Sequence, residues 1–130
     1  MIVDSSALVA ILRFEPEASD FIAVVKASPC KIGAATLFET SIVIDSGRSP
    51  GASRSLDEFV QRGKISIIPF DEQQMRIARE AYRDFGKGSG HPARLNFGDC
   101  FAYALAKAMG EPLLFKGDDF RHTDVTPALP

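Results

Sequence analysis

The chain has 130 residues, 45% of them hydrophobic and 25% charged, with a formal net charge of −2. That is the make-up of one soluble globular domain, 1–130, large enough to bury a core without disulfide staples. No apolar run approaches the roughly 18 residues of a membrane-spanning helix, and the charge excludes a general basic coat for nucleic acid, though not a local patch.

The first apolar run is broken almost at once by Asp4, so the start does not read as a secretory leader and a cytoplasmic location is expected. "MIV" reads as a short buried strand and "SSALVAIL" as a helix capped by Ser5 or Ser6. In "EPEASDFIAVVKAS" the pattern predicts a second helix with Pro16 in its first turn and Pro29 as its stop. "KIGAA" is a candidate strand. "TLFETSIVI" follows as a third helix, in which Thr36 and Glu39 have the spacing of a capping box. The Gly, Pro and Ser of "SGRSPGAS" predict a loop, and "RSLDEFVQRG" a helix closed by Gly63.

"ISIIPF" is β-branched and predicts a strand. "DEQQMRIAREAYRDF" predicts a helix capped by Asp71, with Met75, Ile77, Ala78, Ala81 and Tyr82 inward and an arginine-rich outer face. "GKGSGHPARLNF" is glycine-rich and basic and reads as the least ordered stretch. "NFGDCFAYALAKAMG" is a helix running from an Asn96 cap to Gly110, "PLLFK" a further strand and "VTPAL" a last edge strand. Cys30 and Cys100 lie far apart without a Cys-x-x-Cys spacing, as two buried thiols rather than a zinc or redox site. Strands alternating with helices imply an α/β class: a mostly parallel central sheet flanked by helices on both faces.

In such sheets, sites form beyond the carboxyl ends of the strands. Four acidic positions fall there: Asp4, Glu39, Asp99 and the pair Asp118–Asp119. Each has a structural explanation on its own, because carboxylates stabilise helix N-termini by roughly 0.3–1 kcal/mol. Asp71 is the control, a cap with no chemistry assigned. Gathered together, the acids are a different matter, since two like charges about 4 Å apart repel by roughly 4 kcal/mol at an effective dielectric near 20. Such a cluster requires raised pKa values or a bound cation. An all-oxygen donor set suits Mg2+ or Mn2+ rather than zinc, and neither His91 nor His122 is spaced as a ligand.

"MIVDSSALVAIL", "AATLFETSIVI", "RLNFGDCFAYALAK" and "PLLFKGDDFRHTDV" together resemble the PIN-domain ribonucleases, specifically the VapC toxins of bacterial toxin–antitoxin pairs. The resemblance covers nearly the whole chain and implies a PIN-like three-layer α/β/α fold. It also implies a metal-dependent endoribonuclease, inhibited by a small VapB-type antitoxin and dimeric. Position by position, it implies Asp4, Glu39, Asp99 and Asp119 as the catalytic acids, with Asp118 the second candidate for the last. Asp4 and Asp99 are the first choice as metal ligands, and Ser6 and Asn96 are in support.

RNA would need cations beside the metal. Lys116, Arg94 and Arg121 are the RNA-binding candidates, and Arg76, Arg79, Arg83 and Lys87 lie near the basic loop. Two rivals stand beside the nuclease. An aspartyl phosphatase would use Asp4 as nucleophile, but the position two residues on, where such enzymes place a proton donor, is Ser6. A binding module of the same fold would hold a metal or a basic peptide without turnover.

Overall fold

The computed structural model describes residues 1–130. Four short strands, β1 (Ile2–Val3), β2 (Lys31–Gly33), β3 (Ser66–Ile68) and β4 (Leu113–Leu114), form one sheet in the order β3-β2-β1-β4. Every pairing is parallel, with Ile2 opposite Lys31 and Leu113, and Ile32 opposite Ile67. Successive strand residues point to opposite faces, so Ile2 and Leu113 enter one core and Val3 and Leu114 the other. Both faces are covered, which is why β1 and β4 are apolar without alternation.

One core lies under α5 (Glu72–Phe85) and α6 (Phe97–Met109) and includes Leu95, Tyr103, Leu105 and Phe120. The other lies under α1 (Ser5–Leu12), α2 (Ala18–Ala27), α3 (Ala34–Asp45) and α4 (Pro50–Arg62) and includes Leu8, Ile11, Phe21, Val25, Ile44 and Leu56. The result is the expected α/β/α sandwich. Cys30 and Cys100 are free and buried, as expected.

Several local expectations are corrected. Helix α1 is capped by Asp4, not by Ser5 or Ser6, which are its first two residues. The α2 helix begins at Ala18, leaving Pro16 in the turn before it. Helix α4 begins at Pro50, inside the stretch expected to be loop: Ser49 accepts from the Ala52 N–H, and Pro50 occupies a first-turn position where its missing N–H costs nothing.

On α5 the inward face carries Gln74 and Ala81, while Met75 and Tyr82 are exposed. The reason is Gln74, whose side-chain amide donates to Pro69 O at 3.0 Å, so a polar residue takes the buried position. The glycine-rich segment is held, not loose: the N–H of Lys87 donates to Leu95 O, that of Leu95 to Phe85 O, and Ala93 and Leu95 are buried. "VTPAL" contributes only an isolated bridge between Leu113 and Pro127.

Candidate active site

The sheet order places β1 between β2 and β4, the strands on either side of a topological switch, where crevices open at the carboxyl ends. Asp4 stands immediately after β1 and is 2% exposed. Its Oδ2 accepts from the Ser6 N–H at 3.0 Å and from the Ser6 hydroxyl at 2.6 Å. Its Oδ1 is buried with no hydrogen-bond partner. A helix cap needs only one carboxylate oxygen, so the second is unexplained by local structure. Ser6 also accepts from the Lys116 N–H at 3.0 Å, and the Asp4 N–H donates to Leu114 O at 2.9 Å. The ends of β1 and β4 are thereby fixed to each other.

Glu39 lies one turn into α3 and is half-buried. The expected capping box does not form. Strand β2 runs straight into α3 at Ala34 with Gly33 as N-cap and no side-chain cap, so Thr36 is already inside the helix. A capping box needs its hydroxyl residue outside the helical turn. Glu39 therefore loses its structural explanation, and Thr36, 1% exposed, has a hydroxyl oxygen without a partner.

Asp99 keeps its structural role. Asn96 Oδ1 accepts from the Asp99 N–H at 2.9 Å, and Asp99 Oδ2 accepts from the Asn96 N–H at 3.0 Å, a complete capping box that uses one oxygen of each side chain. Asp118 and Asp119 follow β4 in an exposed segment, with Asp119 opening a 3-10 turn.

Electrostatics links these positions. Burial pushes the Asp4 carboxyl up to about 6 from its ordinary 3.8, against the two bonds from Ser6, and the charge of Glu39 adds to the rise. Burial likewise pushes Asp99 up to about 7, opposed by the bond from Asn96 and reinforced by the charges of Asp4, Asp119 and Glu39. Of the terminal pair, Asp119 stands among the leading charges acting on Asp99. The four acids thus share one field at the carboxyl end of the sheet.

A divalent cation fits this donor set by its chemistry: the donors are hard oxygens, and Asp4 Oδ1 is buried and unpaired. No three acid, histidine or cysteine side chains stand closely enough together to hold a metal ion between them as they are placed. The site is a convergent set of charges, not a finished coordination shell.

Among the cations, Lys116 is occupied: its ammonium donates to Glu15 Oε2 at 2.8 Å and lies 3.0 Å from Glu17 Oε2 in an ion pair without hydrogen-bond alignment. Arg121 lies over the Phe115 ring at 5.5 Å and donates to Pro130 O at 3.3 Å. Arg94 is exposed in the loop before Asn96 with φ 50°. On α5, Arg76 pairs with Glu72 and Arg83 with Asp84.

Sequence reading missed Gly98. The Glu39 carboxylate lies directly against it, so that a Cβ at Gly98 would fall 1.9 Å from Glu39 Oε2. The legible signal was a glycine in the first turn of a strong helix, a place where it weakens the helix and needs a reason.

A groove of about 1140 Å3 opens elsewhere, lined by Ile11, Leu12, Phe14, Ile22, Val25 and Phe59 of α1, α2 and α4 and their connections; none of the four acids lines it. Phe14 at its edge is 89% exposed.

A family model described as the PIN domain matches residues 1–125. The chain is 52% identical over 130 residues to ribonuclease VapC28 of Mycobacterium tuberculosis, covering 99% of this chain and 98% of that protein. It is 46% identical over 132 residues to ribonuclease VapC30 of the same species, covering all of both. Among solved structures, it superimposes on the crystal structure of M. tuberculosis VapC20, described as a sarcin–ricin loop cleaving toxin, with a TM-score of 0.75 at 15% identity, covering 96% and 95% of the two chains. It superimposes on FitAcB of Neisseria gonorrhoeae with a TM-score of 0.67 at 19% identity, covering 98% and 96%. These two likenesses bear on the fold, which is the three-layer arrangement described above.

Proposed function

The chain belongs to the PIN-domain family, among relatives named as VapC ribonucleases, and from that premise we propose that it is a metal-dependent endoribonuclease acting as the toxin of a toxin–antitoxin pair. The observation that carries the reading is Asp4: a buried carboxylate with one oxygen unpaired, under the influence of Glu39 and adding its charge to Asp99, whose carboxyl burial also raises. A protein gains no stability from that arrangement, and perturbed carboxylates gathered at a strand-end crevice mark a functional site.

In this reading Asp4 and Asp99 are the ligands of Mg2+ or Mn2+, with Glu39 and Asp119 completing the shell or orienting the attacking water. An ion held by these residues would supply a water of lowered pKa and stabilisation for the charge on the phosphate and leaving oxygen. The residues of the chain supply position. Ser6 fixes the Asp4 carboxylate through two bonds and ties it to the backbone of Lys116, so the β1 and β4 sides of the crevice keep a constant separation. The capping box holds the Asp99 carboxylate at the first turn of α6. Arg94 and Arg121 remain candidates for RNA phosphates, whereas the local cancellation of the Lys116 charge shifts that residue from phosphate contact to loop anchoring.

A VapB-type antitoxin is the proposed inhibitor, and the apolar groove beside Phe14 is a surface large enough for a partner helix. Exposed Phe38 and Ile42 on α3 offer an apolar face for the proposed homodimer.

The test is cleavage of single-stranded RNA by the purified protein with Mg2+ or Mn2+, and its arrest by a chelator. Asp4→Asn and Asp99→Asn abolish cleavage while Asp71→Asn leaves it intact. Metal uptake without cleavage of any RNA would instead support the binding module, and release of phosphate from small esters with a phosphorylated Asp4 would support the phosphatase.

A further inference from the structure

Gly98 is the second residue of α6. A Cβ built on it would lie 1.9 Å from Glu39 Oε2, 2.7 Å from Cδ and 3.0 Å from Oε1. Every non-glycine residue carries that carbon, so none leaves the Glu39 carboxylate in place. The backbone at Gly98 has no positive φ, and glycine is therefore not there for conformational freedom. In a helical position it is worse than alanine by about 1 kcal/mol. What the chain uses at this position is the empty volume.

The nearest occupant of that volume is Glu39. The three heavy atoms nearest that position all belong to the Glu39 carboxylate, the far end of a flexible side chain. Restoring a Cβ would displace the carboxylate and leave the packing of α3 on α6 in place. We infer that Gly98 is a positioning residue: by carrying no side chain it seats Glu39 of α3 against the first turn of α6, next to Asp99, so that acids from two helices address one cation. The inference rests on the nuclease reading, whose metal the Glu39 carboxylate would serve. Acting through Glu39, Gly98 itself touches neither RNA nor metal.

The experiment compares the full-length protein with Gly98→Ala, Glu39→Asp and the double variant, with Asp71→Asn as control. Three quantities are measured: the melting temperature in chelator, Mn2+ affinity by titration calorimetry, and RNA cleavage. For Gly98→Ala the expectation is a melting temperature unchanged or raised, since alanine is the better helix former. Mn2+ binding is expected to weaken by roughly 10- to 100-fold, the usual range when support for a ligand is lost, and cleavage to fall at least as far. Shortening Glu39 by one methylene costs activity in the wild type. In the Gly98→Ala background it costs nothing further, because the carboxylate is already out of place, so the two effects do not multiply.

Wild-type Mn2+ affinity and cleavage in Gly98→Ala would overturn the inference and leave the nuclease reading standing. A lowered melting temperature with proportionate losses in the other two, and multiplying effects in the double variant, would also overturn it by making Gly98 a residue of the fold. Failure of the wild type itself to bind Mn2+ and cleave RNA would overturn the nuclease reading, and this inference with it.

Discussion

Replacing Asp4 by Asn removes a buried charge that the fold tolerates at a cost, and the size of that cost follows from its titration. The Asp4 carboxyl stands at about 6 in the folded chain against an ordinary 3.8. A folded-state pKa above the unfolded value means that the folded chain holds the proton more tightly. The group therefore contributes nothing adverse below about pH 4, and stability falls as pH rises through 4 to 6, reaching its full loss above. Two units at 1.36 kcal/mol each give about 3 kcal/mol. Asp99, raised to about 7, extends the decline toward neutrality, discounted because it is partly exposed to solvent.

The Asn variant keeps an oxygen to accept both Ser6 bonds but has no charge to desolvate. Its amide adds a donor where Asp4 Oδ1 has no partner, a cost of about 1–3 kcal/mol at every pH. The diagnostic quantity is therefore the change with pH. Urea denaturation of both proteins in chelator, from pH 4 to 8, should show the stability of Asp4→Asn gaining on the wild type by about 3 kcal/mol across the range, most of it between pH 4 and 6. Mg2+ should close the gap by stabilising the wild type alone. Parallel curves for the two proteins would refute the reasoning, because they would mean that Asp4 titrates as an ordinary carboxyl.

Three further outcomes are expected. Mn2+ affinity of the wild type, followed by calorimetry, should rise with pH between about 5 and 8, since ions and protons compete for Asp4 and Asp99 and both must be ionised to ligate. Asn96→Ala removes the bond to the Asp99 N–H and the side-chain cap of α6, so it should lower stability by about 1 kcal/mol in thermal melts, yet it keeps the backbone N–H of residue 96 that holds the Asp99 carboxylate, so cleavage should be largely retained. Lys116→Met should leave the melting temperature nearly unchanged, because its pairs with Glu15 and Glu17 are open to solvent and screened. The same variant should leave the salt dependence of RNA binding, read by fluorescence anisotropy, unchanged; a shallower slope would return Lys116 to the phosphate contacts.

The fold was legible because its elements announce themselves locally. "MIV" and "PLLFK" are apolar runs with no room for a helix, and α6 carries both its cap at Asn96 and its stop at Gly110, which takes φ 62°. The boundaries that failed were those where two local explanations compete. Ser49 and Pro50 look like loop residues and are equally a helix start, and Thr36 and Glu39 have capping spacing but fall inside a helix that begins two residues sooner than Thr36. Gln74 displaced Met75 from the inner face of α5 because the backbone of Pro69 needed a donor, a requirement no periodicity contains.

The candidate acids were legible as a set, because strand ends in a parallel sheet converge. Their environment was not. The unpaired oxygen of Asp4, the neutralisation of Lys116 by two acids from the turn after α1, and the seat of Glu39 on Gly98 each depend on contacts between residues far apart in the chain. Only the order β3-β2-β1-β4 brings those segments together.

Asp4, Glu39, Asp99 and Asp119 are proposed to hold a divalent ion together for RNA hydrolysis. Anomalous diffraction from crystals grown with Mn2+ tests this proposal most directly. A manganese peak bonded to the free oxygen of Asp4 and to Asp99, lost in crystals of Asp4→Asn, is the predicted result. A protein that cleaves RNA while its only manganese lies away from these carboxylates would contradict it.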